Sequence, residues 1–240
     1  MKAWAVIPAF NEATTLPGIV RRTVAHCPVI VVDDGSTDGT SEALADLPVT
    51  ILRNDGNRGK AVSLWRGIRE AMDAGADRVV SLDADGQHAP EDIPRLLGCS
   101  ARNPESIIVG ARLQCRDRVP PLRRFANGMA NFWISWAAGR PIPDTQSGFR
   151  VYPAGFLRGL DIKVDRGSGF VFESEVLIEA GWQGVPVAVE SVEACYPEGA
   201  RPSHYRPTAD TLAIIAMVAG RLLRRGMFPQ GLWRSLMRAS

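Results

Sequence analysis

The chain has 240 residues, 45% hydrophobic and 22% charged; that suits one good-sized domain, which buries about seven-tenths of its unfolded surface and needs no staples. A formal net charge of +2 gives no reason to expect a nucleic-acid partner. The four cysteines, Cys27, Cys99, Cys115 and Cys195, stand far apart with no C-x-x-C pair, so neither a zinc site nor a disulfide framework is expected and a reducing compartment fits best.

Met1-Lys2 leads into a short apolar stretch interrupted by Pro8, which does not read as a signal peptide. From there, short β-branched runs alternate with helical patterns. Strands are expected at Ala3–Ile7, Val29–Val32, Val49–Leu52, Arg78–Leu82 and Ser106–Val109. Helices are expected between them at Thr15–Ala25, Thr40–Leu47, Lys60–Ala74 and Pro90–Ala101. Such alternation predicts an α/β fold with a mostly parallel sheet covered on both faces. Beyond Arg112 the alternation fades. Leu122–Ala138 reads as a helix, Asp144–Pro153 follows a Gly/Pro turn, Glu173–Ala180 is helical and Val185–Val192 a strand. A Gly/Pro/Arg-rich loop, Tyr196–Pro207, precedes a last helix, Thr208–Arg225, whose apolar run is far short of the roughly 20 residues that cross a bilayer. From Arg201 onward seven arginines face one acid, Asp210, a local charge of +6. That suits phosphate groups, an anionic membrane face, or simply a solvated surface.

In open parallel sheets, ligands bind beyond the carboxyl ends of the strands, and the polar clusters here sit at those ends. Asp83-Ala84-Asp85-Gly86-Gln87-His88 follows the fourth strand. Alternate residues of an extended segment point the same way, so Asp83 and Asp85 converge on one side, and oxygen ligands suit a hard cation such as Mg2+ or Mn2+. Asp33-Asp34-Gly35-Ser36-Thr37-Asp38-Gly39 follows the second strand. There Asp38 reads as a turn or cap residue, whereas Asp34 can accept hydrogen bonds from a base or ribose. Pro8-Ala9-Phe10-Asn11-Glu12 ends the first strand, with Phe10 placed either to flank a base or to fill the core.

Taken in order, P-A-F-N-E, V-D-D-G-S-T-D-G-T, N-R-G-K-A, D-A-D-G-Q-H and D-T-Q-S-G-F-R resemble the family 2 glycosyltransferases, and more narrowly their dolichol-phosphate mannose synthase-like branch, from about Ala3 to Asp210. The resemblance implies a GT-A fold and inverting transfer of a sugar from a UDP- or GDP-sugar to an acceptor, a polyprenyl phosphate or other lipid. It implies one domain, with a nucleotide-sugar half over 1–111, an acceptor half over 112–210 and a basic amphipathic tail over 211–240. By motif position Pro8, Phe10, Glu12, Val32 and Asp34 would hold the nucleoside. Asp83, Asp85 and Gln87 would serve the metal, with Ala84 lining the same site. Arg112 would approach the phosphates or the acceptor. In Arg123-Arg124-Phe125-Ala126-Asn127, Arg123 would receive the lipid phosphate and Asn127 stands where the family has a serine. Arg201 would close over the donor diphosphate from a mobile loop in which Ser203-His204 replaces the common serine–lysine.

A phosphate acceptor needs little base help, whereas a hydroxyl acceptor needs a general base. Asp144 is the candidate for that base, with orientation of Arg150 or a turn cap as its structural alternative. His88 reads as a wall of the metal loop, and Glu173 and Glu175 carry no assigned role. The Q-x-x-R-W motif and membrane helices of processive synthases are not seen, which favours a single transfer per acceptor. The tail reads either as an amphipathic anchor at the inner face of the cytoplasmic membrane or as a helix packed on the domain. Two other functions fit paired acids: a nucleotidyltransferase releasing pyrophosphate, and a catalytically silent nucleotide-sugar-binding subunit.

Overall fold

The computed structural model describes residues 1–112, 121–165, 169, 171–193 and 207–237, with side chains from 124 and 212 onward in the two helices that open at 121 and 207. Seven strands form one sheet: β1 (Ala3–Ala9), β2 (Val29–Asp33), β3 (Thr50–Arg53), β4 (Arg78–Ser81), β5 (Ile107–Ala111), β6 (Arg150–Pro153) and β7 (Val187–Ser191). Their spatial order is β3-β2-β1-β4-β6-β5-β7. All are parallel except β6, which runs antiparallel to both β4 and β5.

Residues alternate strictly between the two faces, as a pleated strand requires. Val6, Ile30, Val32, Val79, Ile107, Val109 and Tyr152 enter one core, under α2 (Lys60–Asp73), α4 (Pro121–Ala138), α6 (Val171–Trp182) and α7 (Pro207–Arg224). Ala5, Ile7, Val29, Val31, Val80, Ile108 and Val151 enter the other, under α1 (Leu16–Thr23) and α3 (Ile93–Arg102). Burial on both faces is why these strands read as near-continuous apolar runs. All six expected strands and most expected helices stand within a residue or two of their forecast ends.

Three expectations need correction. Thr40–Leu47 forms only a single 3-10 turn, Glu42–Leu44, because Ser41 and Thr40 spend their side chains on Asp33 and Asp38 instead of continuing a helix. Arg150–Pro153, read as part of an irregular stretch, is β6, followed by the short α5 (Ala154–Arg158). The tail holds a second helix, α8 (Pro229–Leu236), set off from α7 by left-handed backbone at Gly226, Met227 and Phe228 and opened by Pro229 at its first turn.

Helix packing demands glycine where backbones meet. A Cβ on Gly181 of α6 would lie 2.1 Å from the carbonyl oxygen of Ala138 on α4. On Gly67 of α2, it would meet Val6 Cγ1 at 2.4 Å, against the sheet. The first contact is backbone and has no rotamer to escape into. Gly181→Ala is therefore expected to destabilise the fold by about 1–3 kcal/mol through overpacking, seen as a lowered thermal midpoint. An unchanged midpoint would contradict this close crossing.

Candidate active site

The loops after β1 and β2 are laced together by side chains. The Asn11 amide N–H donates to Ser36 Oγ at 2.9 Å and the Thr37 N–H donates to Asn11 Oδ1 at 2.9 Å. The Glu12 N–H donates to Thr40 Oγ1 at 2.9 Å, and Thr15 Oγ1 donates to the buried Glu12 carboxylate at 2.6 Å. Asp38 accepts from Thr40 within its own turn and from the Ala13 N–H across the gap, so its turn role extends to joining the two loops. Asp33 accepts from the Ser36 N–H at 2.8 Å and from Ser41 Oγ. Gly35, at φ +77°, packs so closely on Gly56 that a Cβ would lie 2.5 Å from the Gly56 Cα. Only glycine fits there, sterically and conformationally.

Asp34 is buried and ties this pair of loops to α2. Its Oδ1 accepts from Asn54 Nδ2 at 2.7 Å and the Arg58 N–H at 2.8 Å, and its Oδ2 accepts from the Gly59 N–H at 2.8 Å. The carboxylate thus meets the positive end of α2. A carboxylate has about four acceptor positions, and the three donors named here leave one. Pro8 and Val32 are buried beneath these loops and Phe10 is half-buried at their edge.

Gly59 leads directly into Lys60, and Lys60 crosses to the loop after β4. Its Nζ lies 2.6 Å from Asp83 Oδ1 and 3.1 Å from Glu173 Oε2 on α6. His88 is buried, its ring 5.2 Å from that of Phe149, with Nε2 3.7 Å from Asp83 Oδ2. Asp83 and Asp85 are both half-buried while Ala84 between them packs inward, as alternation requires. Asp85 Oδ1 accepts from the Gln87 N–H at 2.9 Å. Burial works against the Asp83 charge, but Lys60 and His88 outweigh it and hold this carboxyl well below the usual range. Asp85 goes the other way: burial, then the neighbouring Asp83 charge, pushes it up. Lys60 is held above its ordinary value because Asp83 and Glu173 overcome its desolvation.

Two carboxylates thus share one lysine, and the nearby Asp85 feels the surplus negative charge. That surplus, with oxygen donors converging on one side of the loop, fits a hard divalent cation. Among the described residues, no three His, Cys, Asp or Glu side chains form a ready metal cage. Asp83 and Asp85 with diphosphate oxygens match how Mg2+ is usually held, by one or two carboxylates plus substrate phosphate.

At the same end of the sheet, Asp144 forms a two-point pair with Arg112, just after β5: Nε to Oδ2 at 3.0 Å and Nη2 to Oδ1 at 3.2 Å. Burial disfavours this carboxylate, but the Arg112 hydrogen bonds and charge outweigh it and keep it below the usual range. The alternative that Asp144 orients Arg150 does not hold. Arg150 is fully buried and spends its donors on the backbone oxygens of Thr145 (2.9 Å), Ser147 (2.8 Å) and Glu173 (2.6 Å). The segment 144–149 is fixed further by Asn131 of α4, which accepts from the Thr145 N–H at 2.9 Å. Asn127 lies half-buried on the same helix. Arg123 stands in α4 with its side chain outside the described residues, and Arg201, like all of residues 194–206, also lies outside them.

Sequence reading quoted Lys60 only within the N-R-G-K-A motif and at the start of a helix, did not name Asn54, and gave neither Lys60 nor Glu173 a role in the site. One signal for Lys60 existed: a cation in the first turn opposes the helix dipole, so its placement there asks for a local anionic partner. Glu173 stands 113 residues away from Lys60, and no local pattern links them.

The comparisons bear on this geometry directly. The family model described as "Glycosyl transferase family 2" matches residues 4–165. An undecaprenyl-phosphate mannosyltransferase from Micrococcus luteus is 31% identical over 212 residues, covering 80% of this chain and 84% of that protein. A polyprenol monophosphomannose synthase from Mycolicibacterium smegmatis is 32% identical over 206 residues, covering 78% and 74%. Among solved structures, mannosyl-3-phosphoglycerate synthase from Rubrobacter xylanophilus superposes with a TM-score of 0.68 at 21% identity, over 94% of this chain and 75% of that one. Glucosyl-3-phosphoglycerate synthase from Mycobacterium tuberculosis, crystallised with Mn2+, UDP and its glucosylated product, gives 0.65 at 20% identity, over 93% and 79%. These two likenesses concern the fold, which is the GT-A arrangement. With two-thirds of its length matched by the family model and the paired acids in place at the strand ends, the chain belongs to glycosyl transferase family 2, in the dolichol-phosphate mannose synthase-like branch.

Proposed function

We propose that the protein transfers one sugar, with inversion, from a nucleoside diphosphate sugar to a polyprenyl phosphate at the inner face of the cytoplasmic membrane. The observation that carries this reading is the Asp83–Asp85 pair with its surplus negative charge, at the same sheet end as the Glu12 and Asp34 loops. Family membership sets aside the nucleotidyltransferase alternative, and a glycosyltransferase with both acids present is an enzyme, not a silent subunit.

In this reading Phe10, Glu12 and the open acceptor position of Asp34 face the nucleoside, above Pro8 and Val32. Asp83 and Asp85, with Gln87 beside them and Ala84 packed beneath, would hold Mg2+ or Mn2+. Such an ion supplies charge stabilisation to the departing diphosphate. Arg112, Arg123 and Arg201 are the cations assigned to phosphate groups, and an arginine fork matches phosphate oxygens well. A phosphate monoester acceptor is anionic near neutral pH, so in-line attack needs position more than proton removal. That leaves Asp144 to set Arg112, not to act as a base. Its depressed titration makes it a poor proton acceptor near neutral pH, which agrees.

The outer face of α4 and the tail support lipid contact. Phe125, Met129 and Trp133 on α4, and Trp233, Leu236 and Met237 at the α8 end, are exposed, with Arg224 and Arg234 nearby in sequence and also exposed. Aromatic, leucine and arginine side chains in that mixture suit a headgroup boundary. No helix among the described residues is long and apolar enough to cross a membrane. The tail also packs: Ile214, Val218 and Leu222 are buried, and Trp136 Nε1 donates to the Phe228 carbonyl at 3.1 Å. The tail is thus packed on the domain along one side, and its exposed apolar and arginine positions are what support the anchor reading.

Thermal-shift screening of UDP- and GDP-sugars with Mn2+ identifies the donor, since binding raises apparent stability. Asp85→Ala is expected to reduce transfer at least about a hundredfold with an unchanged circular-dichroism spectrum; normal turnover would refute the metal assignment. Asp144→Asn is expected to lose less than about tenfold in kcat, without a new inflection between about pH 6 and 9, whereas loss of a general base costs roughly 10²–10⁴-fold. A loss in that larger range would restore Asp144 as the base. Trp233→Ser with Leu236→Ser is expected to weaken binding to phosphatidylglycerol vesicles while UDP binding holds, and equal vesicle binding would exclude the α8 contact.

A further inference from the structure

Lys60 occupies an unusual place in this site. It is the first residue of α2, immediately after Gly59, whose amide binds Asp34. Its ammonium bridges Asp83, on the loop that would hold the cation, and Glu173, on α6. The two bonds differ: 2.6 Å to Asp83 and 3.1 Å to Glu173. Glu173 is buried, and its second oxygen, Oε1, has no hydrogen-bond partner among the described residues. A buried carboxylate oxygen left unsatisfied is costly, so it calls for a donor in some state of the enzyme. The backbone that carries this carboxylate is held, because the Glu173 carbonyl accepts from buried Arg150 at 2.6 Å. Gly148 packs between the two acids, where a Cβ would lie 2.7 Å from Asp83 Oδ2 and 2.9 Å from Glu173 Oε1. The carboxylates therefore face each other across a glycine with no side chain between them.

An ammonium carries three donors on a flexible stem. We propose that Lys60 is a built-in counter-ion for the cation site, bound to Asp83 before a divalent cation arrives and displaced onto both oxygens of Glu173 afterwards. The inference rests on the assignment of Asp83 and Asp85 to a cation and deepens it by naming the group that competes there. A divalent ion at Asp83 repels an ammonium 2.6 Å from the same carboxylate, and Glu173 offers the nearest compensating charge. Lys60 thereby acts as a positioning residue: it keeps the acids neutralised and in place, and it sets how tightly the cation binds before the donor.

The test is Mn2+ binding, followed by electron paramagnetic resonance at about pH 8, where carboxylates are ionised, with and without UDP, on the full chain. Lys60→Met removes the competitor and is expected to tighten nucleotide-free Mn2+ binding about tenfold, within the range usual for coupled sites. Glu173→Gln weakens the lysine's alternative berth and is expected to loosen Mn2+ binding by about fivefold. In the double variant, Glu173→Gln should add little to Lys60→Met, because its effect runs through the lysine. Unchanged or weaker Mn2+ binding in Lys60→Met would overturn the proposal while leaving the cation site itself intact. Failure of wild-type protein to bind Mn2+ even with UDP would sink the cation assignment and this inference together. If Lys60→Met does not fold, Glu173→Gln decides alone: unaltered affinity there is refutation.

Discussion

Buried negative charge is the constraint around which this molecule is arranged. Asp33, Asp34, Asp83, Asp85 and Glu173 all lie in or near one end of a sheet whose two faces are sealed by apolar cores. Taking a carboxylate out of water costs several kcal/mol unless donors replace its hydration. Each acid has a different solution. Asp33 has hydroxyl and amide donors, Asp34 has a helix N-terminus and an asparagine, and Asp83 shares a lysine with Glu173. Among the described residues Asp85 accepts a hydrogen bond from the Gln87 amide alone and is pushed toward protonation, which marks it as the acid most in need of a further positive partner. Loop geometry follows from these demands: the Gly35–Gly56 contact, the Asn11 left-handed turn and the Gly59 entry to α2 all bring backbone N–H groups or hydroxyls to an oxygen.

The same economy links the two sides of the cleft. Asp34 holds α2 through Gly59, Lys60 carries that helix to Asp83 and α6, and Arg150 holds α6 through the Glu173 carbonyl. Arg112 and Asp144 close a separate pair between the end of β5 and the loop before β6. A change in charge at Asp83 is therefore felt on α6 through two consecutive contacts, without any hinge.

Much of this was legible in the residues, and the exceptions have identifiable causes. Strands buried on both faces announce themselves as apolar runs, so β1, β2, β4 and β5 were readable, and their polar endings located the site. β6 was hidden because its first residue is an arginine, and a buried arginine satisfied by carbonyls looks in sequence like a surface charge. The apparent helix at Thr40–Leu47 had the right composition but lost Thr40 to Asp38 in its own turn and Ser41 to Asp33 at the end of β2. Asp144 was visible as important, while its partner was not: Arg112 and Arg150 flank it in the chain, and only the reversed direction of β6 decides between them. The Lys60–Glu173 contact spans too much sequence for any periodicity to reveal.

The single reversed strand has a further implication. A loop that leaves a parallel strand hangs from its upstream end, and changes in it propagate into the helix that follows. The stretch 144–149 instead runs into β6, held downstream by ladder register and upstream, at Asp144 and Thr145, by Arg112, Asn131 and Arg150. With both ends anchored, a residue inserted there has no slack to enter and must displace one of these partners, so the stretch tolerates exchange of side chains better than change of length.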